Sequence, residues 1–97
     1  MAKGYWIGRI DVQDIDQYMK YVAANGVAFQ KFGGRFLTRG GNFEAVEGDA
    51  RSRNVVIEFP SYEVAVECYH SPEYQEARAL RINVSEGELV IVEGYDG

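Results

Sequence analysis

The chain has 97 residues, with 15 acidic and 10 basic side chains and a formal net charge of −5. This length predicts one domain, residues 1–97. The acidic balance argues against nucleic-acid binding, which depends on Lys and Arg contacts to phosphates. The apolar runs are too short to cross a membrane, which takes about 20 residues. Cys68 is the only cysteine, which excludes an intrachain disulfide and favours a cytoplasmic location.

The first half of the chain predicts a strand, a helix and a helix stop. Residues 4–12 are rich in β-branched and aromatic side chains and predict the first strand. Asp14 is a candidate N-cap, with Gln17 three residues later to complete a capping box. Apolar residues at helical spacing then predict a helix over 15–32. Gly33 follows it and predicts a left-handed C-terminal cap.

The second half predicts two further strands and a helix that is interrupted once. Pro60 stops the third strand, and Ser71-Pro72 has the composition of a new helix start. The predicted elements are a second strand at 35–40, an extended segment at 43–48, a third strand at 53–59, a helix from 62 to about 69 that restarts at 72, and a last strand at 88–95.

This order, β-α-β-β-α-β, predicts an α+β domain of the ferredoxin-like type. Right-handed crossovers place the first and third strands in the centre of a four-stranded antiparallel sheet, with both helices on one face. The helix-side face of the central strands then carries uncharged residues only: Trp6, Gly8, Ile10, Val55, Ile57 and Phe59.

The other face of the sheet has nothing in the chain to cover it. We expect an exposed apolar patch there, formed by Tyr5, Ile7, Val56, Leu89 and Ile91. Such a patch usually marks an interface. Packing of two sheets around a twofold axis would cover it, so we expect a homodimer. The alternative is a mixed face that stays wet, as antiparallel sheets allow.

Several segments also resemble a known family: GYWIGRIDV, KFGGRFLTRGG, FEAVEG, RSRNVVIEFPSYE, CYHSPEYQ and ELVIVEGYDG. Together they resemble the uncharacterised proteins of domain of unknown function family 1330, most specifically from Arg51 to Tyr74. That resemblance implies the dimeric α/β-barrel superfamily and a twofold dimer. It implies no established activity, since relatives include cofactor-free oxygenases, isomerases, haem-degrading enzymes and proteins without known chemistry.

His70 is the only histidine and lies between the two parts of the second helix. Because histidine titrates near neutrality, one hypothesis makes it a general base at the mouth of a pocket near Trp6, Tyr69 and Tyr74. The other makes it a helix C-terminal residue that bonds free carbonyls. A single histidine has no metal-ligand spacing, and we expect neither a metal nor another cofactor.

Trp6, Tyr69 and Tyr74 are the candidate aromatic lining of a pocket between sheet and helices, beside the space left by Gly8. Arg39 is the candidate for an acidic ligand group, whereas the neighbouring arginines are expected in solvated ion pairs. We therefore weigh three functions: binding of a small, partly apolar molecule, cofactor-independent oxygenase or isomerase activity through His70, and a structural or interaction dimer without a ligand.

Overall fold

The computed structural model describes residues 2–97 and contains four strands and four helical segments. In chain order they are β1 (Gly4–Val12), α1 (Ile15–Ala24), α2 (Gly26–Lys31), β2 (Arg35–Arg39), β3 (Arg53–Phe59), α3 (Tyr62–His70), α4 (Pro72–Arg78) and β4 (Ser85–Glu93).

The strands form one antiparallel sheet in the order β2-β3-β1-β4, so β1 and β3 are central as predicted. The helical segments pack on one face of this sheet. Trp6, Val55, Ile57 and Phe59 alternate with more exposed neighbours along the central strands and are buried beneath the helices. The α+β, ferredoxin-like architecture is therefore confirmed.

The predicted helix starts are confirmed by their hydrogen bonds. The amide of Gln17 donates to the carboxylate of Asp14 (3.2 Å), and the amide of Tyr74 donates to the hydroxyl of Ser71 (3.1 Å). The Gln17 side chain does not complete a capping box, because its amide donates to the carbonyl of Leu80 instead (3.2 Å). It ties α1 to the turn after α4.

Gly33 ends the first helical unit as predicted, with a φ of +72°. The amide of Gly34 donates to the carbonyl of Phe29 (2.7 Å), and that of Gly33 donates to the carbonyl of Gln30 (3.4 Å). This pair of bonds is a Schellman motif, which needs a left-handed residue at the position of Gly33.

Gly33→Val is expected to lower the free energy of unfolding by roughly 1 kcal/mol or more, because a β-branched residue is strained at positive φ. The added Cβ would also lie 3.3 Å from Pro60. Thermal and urea unfolding measure the loss. Gly41→Val is the control, since a Cβ at Gly41 meets nothing within 4 Å. Equal melting temperatures for the two variants would contradict this account of the cap.

The structure corrects three predicted boundaries. The helix expected over 15–32 is interrupted at Asn25, where an Asn-Gly pair supplies two weak helix formers in succession. The segment 43–48 forms no strand, and its Phe43 and Val46 side chains are exposed. β4 begins at Ser85 rather than 88, because Ser85 pairs with Val12 of the long β1.

The register of β4 also corrects the expected dimer patch. Ile91 pairs with Trp6 and Leu89 pairs with Gly8, so both side chains lie on the helix-side face. Val90 and Val92 take their place opposite Ile7 and Tyr5. We use the name open face for the apolar residues of the uncovered side, which are Tyr5, Ile7, Val56, Val90 and Val92.

No helix within residues 2–97 combines the length and the apolar character that crossing a membrane requires.

Candidate functional site

A partly enclosed cavity of about 60 Å³ lies between the sheet and the helical segments. We call it the inner cavity. Its wall combines aromatic side chains with polar ones, among them Asn25, Arg53 and Arg81. The lining also includes Trp6, Gly8, Tyr18, Tyr21, Phe29, Tyr74, Glu88 and Leu89. The volume is sufficient for a few atoms or waters, since one water needs about 10–15 Å³.

Trp6 is the centre of the aromatic wall and is 2% exposed. Its ring centroid lies 4.8 Å from that of Tyr74, 5.2 Å from Phe29 and 5.8 Å from Tyr69. Its indole nitrogen donates to the carbonyl of Ala65 (2.9 Å), which attaches β1 to α3. These contacts hold the ring in one orientation, so the wall is rigid.

A chain of hydrogen bonds crosses the cavity wall. The Nε and Nη2 groups of Arg81 donate to the hydroxyl oxygen of Tyr74 at 3.3 and 3.0 Å. The hydroxyls of Tyr74 and Tyr21 are 3.0 Å apart and bond each other. Burial, assisted by Tyr74, raises the pKa of Tyr21 above its ordinary value. Tyr21 therefore remains a neutral phenol over the physiological range.

Two buried polar atoms in the cavity wall have no hydrogen-bond partner among residues 2–97. They are the Oδ1 atom of Asn25, a residue only 4% exposed, and the Nε atom of Arg53. The guanidinium of Arg53 lies 5.5 Å from the centroid of Tyr18. Unpartnered buried polar atoms are rare in folded proteins and call for a bound water, an ion or a ligand.

Gly8 keeps the floor of the cavity open. A Cβ at this position would point toward Leu89 and meet its Cδ1 atom at 3.5 Å, an ordinary contact distance. The backbone therefore tolerates a side chain here, and the glycine is not required by conformation or by close packing. Its effect is to leave space.

A second, open depression of about 460 Å³ adjoins the inner cavity. We call it the outer depression. Arg81, Gly87 and Leu89 line both spaces, so they form the boundary between them. The remaining residues of the outer depression are Tyr69, His70, Arg78 and Ile91.

The structure separates the residues that the sequence grouped as a site. Trp6 and Tyr74 line the inner cavity, whereas Tyr69 and His70 line the outer depression. His70 is exposed, and its ring lies edge-on to Tyr69 with 5.2 Å between centroids. Arg39 lines neither space, because its guanidinium lies 4.1 Å from the centroid of Phe36, at the exposed end of β2.

The polar residues of the inner cavity were not singled out from the sequence. Arg53 lies two residues before Val55 and four before Ile57 on β3. Because alternate residues of a strand share a face, the sequence could have placed Arg53 on the helix-side face. Arg51 and Arg35 match the expected solvated ion pairs: Arg51 with Asp11 at 2.9 Å and Glu88 at 2.7 Å, and Arg35 with Glu58 at 3.5 Å. Arg81 lies in the turn after α4, where no local pattern indicates a site.

Cys68 lines neither the inner cavity nor the outer depression. Cys68 is fully buried, and its burial, with the charge of Glu73 as a smaller cause, raises the thiol pKa to about 12. A thiol with so high a pKa is a poor nucleophile at neutral pH. Within residues 2–97, no three His, Cys, Asp or Glu side chains are arranged to hold a metal ion.

Solved structures with this fold are similar over almost the whole chain. A protein of unknown function from Rhodopseudomonas palustris has a TM-score of 0.77 at 17% identity, covering 99% of this chain and 85% of that one. A dimeric ferredoxin-like protein of unknown function from Jannaschia sp. has a TM-score of 0.69 at 13% identity, covering 96% and 98%.

A third similar structure is SnoaB, a cofactor-independent oxygenase from Streptomyces nogalater. Its TM-score is 0.68 at 12% identity, with 100% of this chain and 97% of that chain covered. At such identities the likeness extends to the fold alone. None of the curated proteins matches the sequence.

The sequence itself matches one family over nearly its full length. Residues 3–95 fit the family described as Domain of unknown function (DUF1330). This span includes the residues that form the inner cavity and the outer depression. The chain is a member of the DUF1330 family.

Proposed function

We propose that this protein binds a small, partly apolar molecule between the sheet and the helices. The observation that carries the proposal is the inner cavity, where a rigid aromatic wall surrounds two buried polar atoms without partners. Small-molecule sites commonly combine an apolar lining with a few polar groups that orient the ligand. A solid core, as the hypothesis of a purely structural dimer requires, would leave neither the space nor the unpartnered atoms.

Binding can be followed through Trp6, the only tryptophan in the chain. A fragment library is screened by NMR for compounds that shift the indole N–H resonance of Trp6, with tryptophan fluorescence as a second signal. We expect compounds that carry one apolar and one polar end to give saturable shifts. If no compound shifts this resonance, and if native mass spectrometry finds no copurifying molecule, the structural-dimer hypothesis is favoured.

Gly8→Ala is expected to weaken binding several-fold without loss of stability. The new methyl group occupies the floor of the inner cavity, yet meets Leu89 only at ordinary contact distance. Replacing glycine by alanine without strain stabilises a chain by about 0.4–1 kcal/mol. Thermal unfolding and titration with the best fragment measure both effects.

Gly26→Ala is the matched control, since a Cβ at Gly26 meets nothing within 4 Å and lies outside the cavity. It should keep the affinity of the original chain. Equal affinities for the Gly8→Ala and Gly26→Ala proteins would mean that the bound molecule does not occupy the inner cavity.

A second candidate function is cofactor-independent oxygenation or isomerisation, with His70 as the base. Its support is the fold shared with SnoaB and the position of His70 beside Tyr69 in the outer depression. Oxygen uptake and product formation with electron-rich phenols and enols test it. A turnover that His70→Gln abolishes favours the enzyme. Equal turnover in the two proteins would exclude His70 as the base. Of the residues that the sequence proposed for binding, Trp6, Tyr69 and Tyr74 line the two spaces and stay in the proposal, whereas Arg39 lines neither.

We further propose that the chain forms a homodimer through the open face. Ile7, Val90 and Val92 are 38%, 55% and 41% exposed on this face. Adjacent exposed apolar side chains of this kind are typical of an interface, and no helical segment packs against them. A second copy would cover them by sheet-to-sheet packing.

The single thiol supports a reducing compartment, and we propose the cytoplasm.

A further inference from the structure

We propose that the ligand group held in the inner cavity is a carboxylate, bound by the Tyr21 hydroxyl and by the guanidinium groups of Arg81 and Arg53. This inference rests on the proposed binding function and names the chemical class of the ligand. It comes from the direction of one hydrogen-bond chain and from the charges that face the cavity.

The direction of the chain follows from Arg81. A guanidinium can only donate hydrogen bonds, so the two bonds at 3.3 and 3.0 Å both end on the Tyr74 oxygen as acceptor. The two hydroxyl oxygens of Tyr74 and Tyr21 are 3.0 Å apart, a distance at which either could donate. Because the two Arg81 bonds occupy both acceptor lone pairs of the Tyr74 oxygen, we infer that Tyr74 donates to Tyr21. The hydrogen of Tyr21 is then not used within this pair, and it can bond either the neighbouring Asn25 or a ligand in the cavity.

Tyr21 therefore presents a hydrogen-bond donor. The positive charge of Arg81 polarises this donor through the neutral Tyr74 hydroxyl that lies between them. Hydrogen bonds that act in series strengthen one another, more so in a buried site. Burial raises the pKa of Tyr21, with the neighbouring Tyr74 as the second cause, so the phenol keeps the hydrogen that it would donate. A donor prepared in this way favours an acceptor that carries negative charge.

The charges of the cavity favour the same ligand class. Arg53 and Arg81 both line it, and neither forms an ion pair with any residue of 2–97. The one carboxylate in the lining is Glu88, which Arg51 binds at 2.7 Å. Two partly buried guanidinium groups without a counter-charge are thus left beside the inner cavity, and a carboxylate would supply that charge.

Because the two spaces differ in size, we expect the carboxylate head of the ligand to lie in the inner cavity and its apolar body in the outer depression. A carboxylate has three heavy atoms, which the inner cavity of about 60 Å³ accommodates. The apolar body would extend past Arg81 and Leu89 into the outer depression, toward Tyr69 and Ile91. The Oδ1 atom of Asn25 then bonds a water or a hydroxyl group of the ligand.

Benzoate and benzamide test this inference because they have nearly the same shape and differ in charge. NMR titration of the full chain, observed at the Trp6 indole, is expected to give benzoate at least tenfold higher affinity than benzamide. Acetate tests the head group alone. Tyr21→Phe should reduce benzoate affinity about tenfold and leave benzamide affinity within twofold, since the variant removes one donor and keeps the Arg81–Tyr74 bonds.

Two variants of Arg81 test whether benzoate binding depends on the positive charge at the inner cavity or only on the net charge of the protein. Arg81→Gln should abolish the preference for benzoate, and Arg81→Lys should restore part of it. Lys20→Gln is the control, because Lys20 is exposed on α1 and lines neither space, and the variant loses the same charge. Circular dichroism spectra and melting temperatures identify any variant that fails to fold. Tyr21→Phe and Arg81→Lys change the side chain least, so they still test the inference if a more drastic variant does not fold.

Each outcome decides a separate question. If benzoate and benzamide bind equally well, or if Lys20→Gln and Arg81→Gln weaken benzoate equally, the carboxylate inference is wrong although the binding function stands. If benzoate, acetate and benzamide all leave the Trp6 resonance unchanged, the carboxylate inference is likewise overturned. The fragment screen then decides by itself whether the protein binds any small molecule.

Discussion

Val56→Asp is expected to dissociate the proposed dimer into monomers at micromolar concentration. Val56 lies at the centre of the open face, where it pairs with Ile7 on β1 and with Thr38 on β2. A twofold dimer would bury one new carboxylate from each subunit, close to Glu58 on the same face. A buried unpaired charge costs several kcal/mol, and each 1.4 kcal/mol changes the dissociation constant about tenfold.

Light scattering coupled to size-exclusion chromatography measures the change, at several protein concentrations. Val46→Asp is the control, since it adds the same charge at a residue that is 79% exposed in the loop before β3. A stable interface should bury at least roughly 1,200 Å² in total. Two results would refute the proposed interface: a monomeric original chain, or a Val56→Asp protein that remains as dimeric as the Val46→Asp protein.

Trp6→Ala is expected to cause the largest loss of stability of any single change considered. Truncating a buried tryptophan typically costs about 3–5 kcal/mol, and a whole domain is stable by only about 5–15 kcal/mol. The change also removes the donor that bonds the carbonyl of Ala65, a residue with no exposed surface. Urea unfolding followed by circular dichroism at one fixed protein concentration measures it, since the proposed dimerisation would make the apparent stability depend on concentration.

Two further variants identify the cause of that loss. Trp6→Phe keeps an aromatic ring and removes the indole N–H, so it should lose clearly less than Trp6→Ala. Tyr95→Ala truncates an aromatic residue that is 94% exposed, and such surface changes usually stay within about 0.5 kcal/mol. A Trp6→Ala protein as stable as the Tyr95→Ala protein would show that Trp6 is not central to the core.

The order of the elements and the apolar residues on the helix-side face of the central strands were predictable from the sequence alone, although that face was wrongly expected to be free of charge and carries Arg53. Both depend on local periodicity, since strand residues alternate faces and helical residues recur every three or four positions. The stop at Gly33 and the restart at Ser71-Pro72 were equally local, because caps form between residues that are two to five positions apart. The break at Asn25 and the unpaired segment 43–48 were missed, since in both the local pattern was weak.

The open face and the polar part of the inner cavity depended on contacts between distant segments. Ile91 and Leu89 were assigned to the wrong face, because the side on which a residue of β4 lies depends on its pairing with β1, and alternation within β4 cannot give that pairing. Tyr21 and Tyr74 are 53 positions apart and meet only when α1 and α4 pack together. Arg81 joins them from a turn whose position depends on the same packing. Local patterns therefore predicted the aromatic wall, and tertiary contacts decided which charged groups face it.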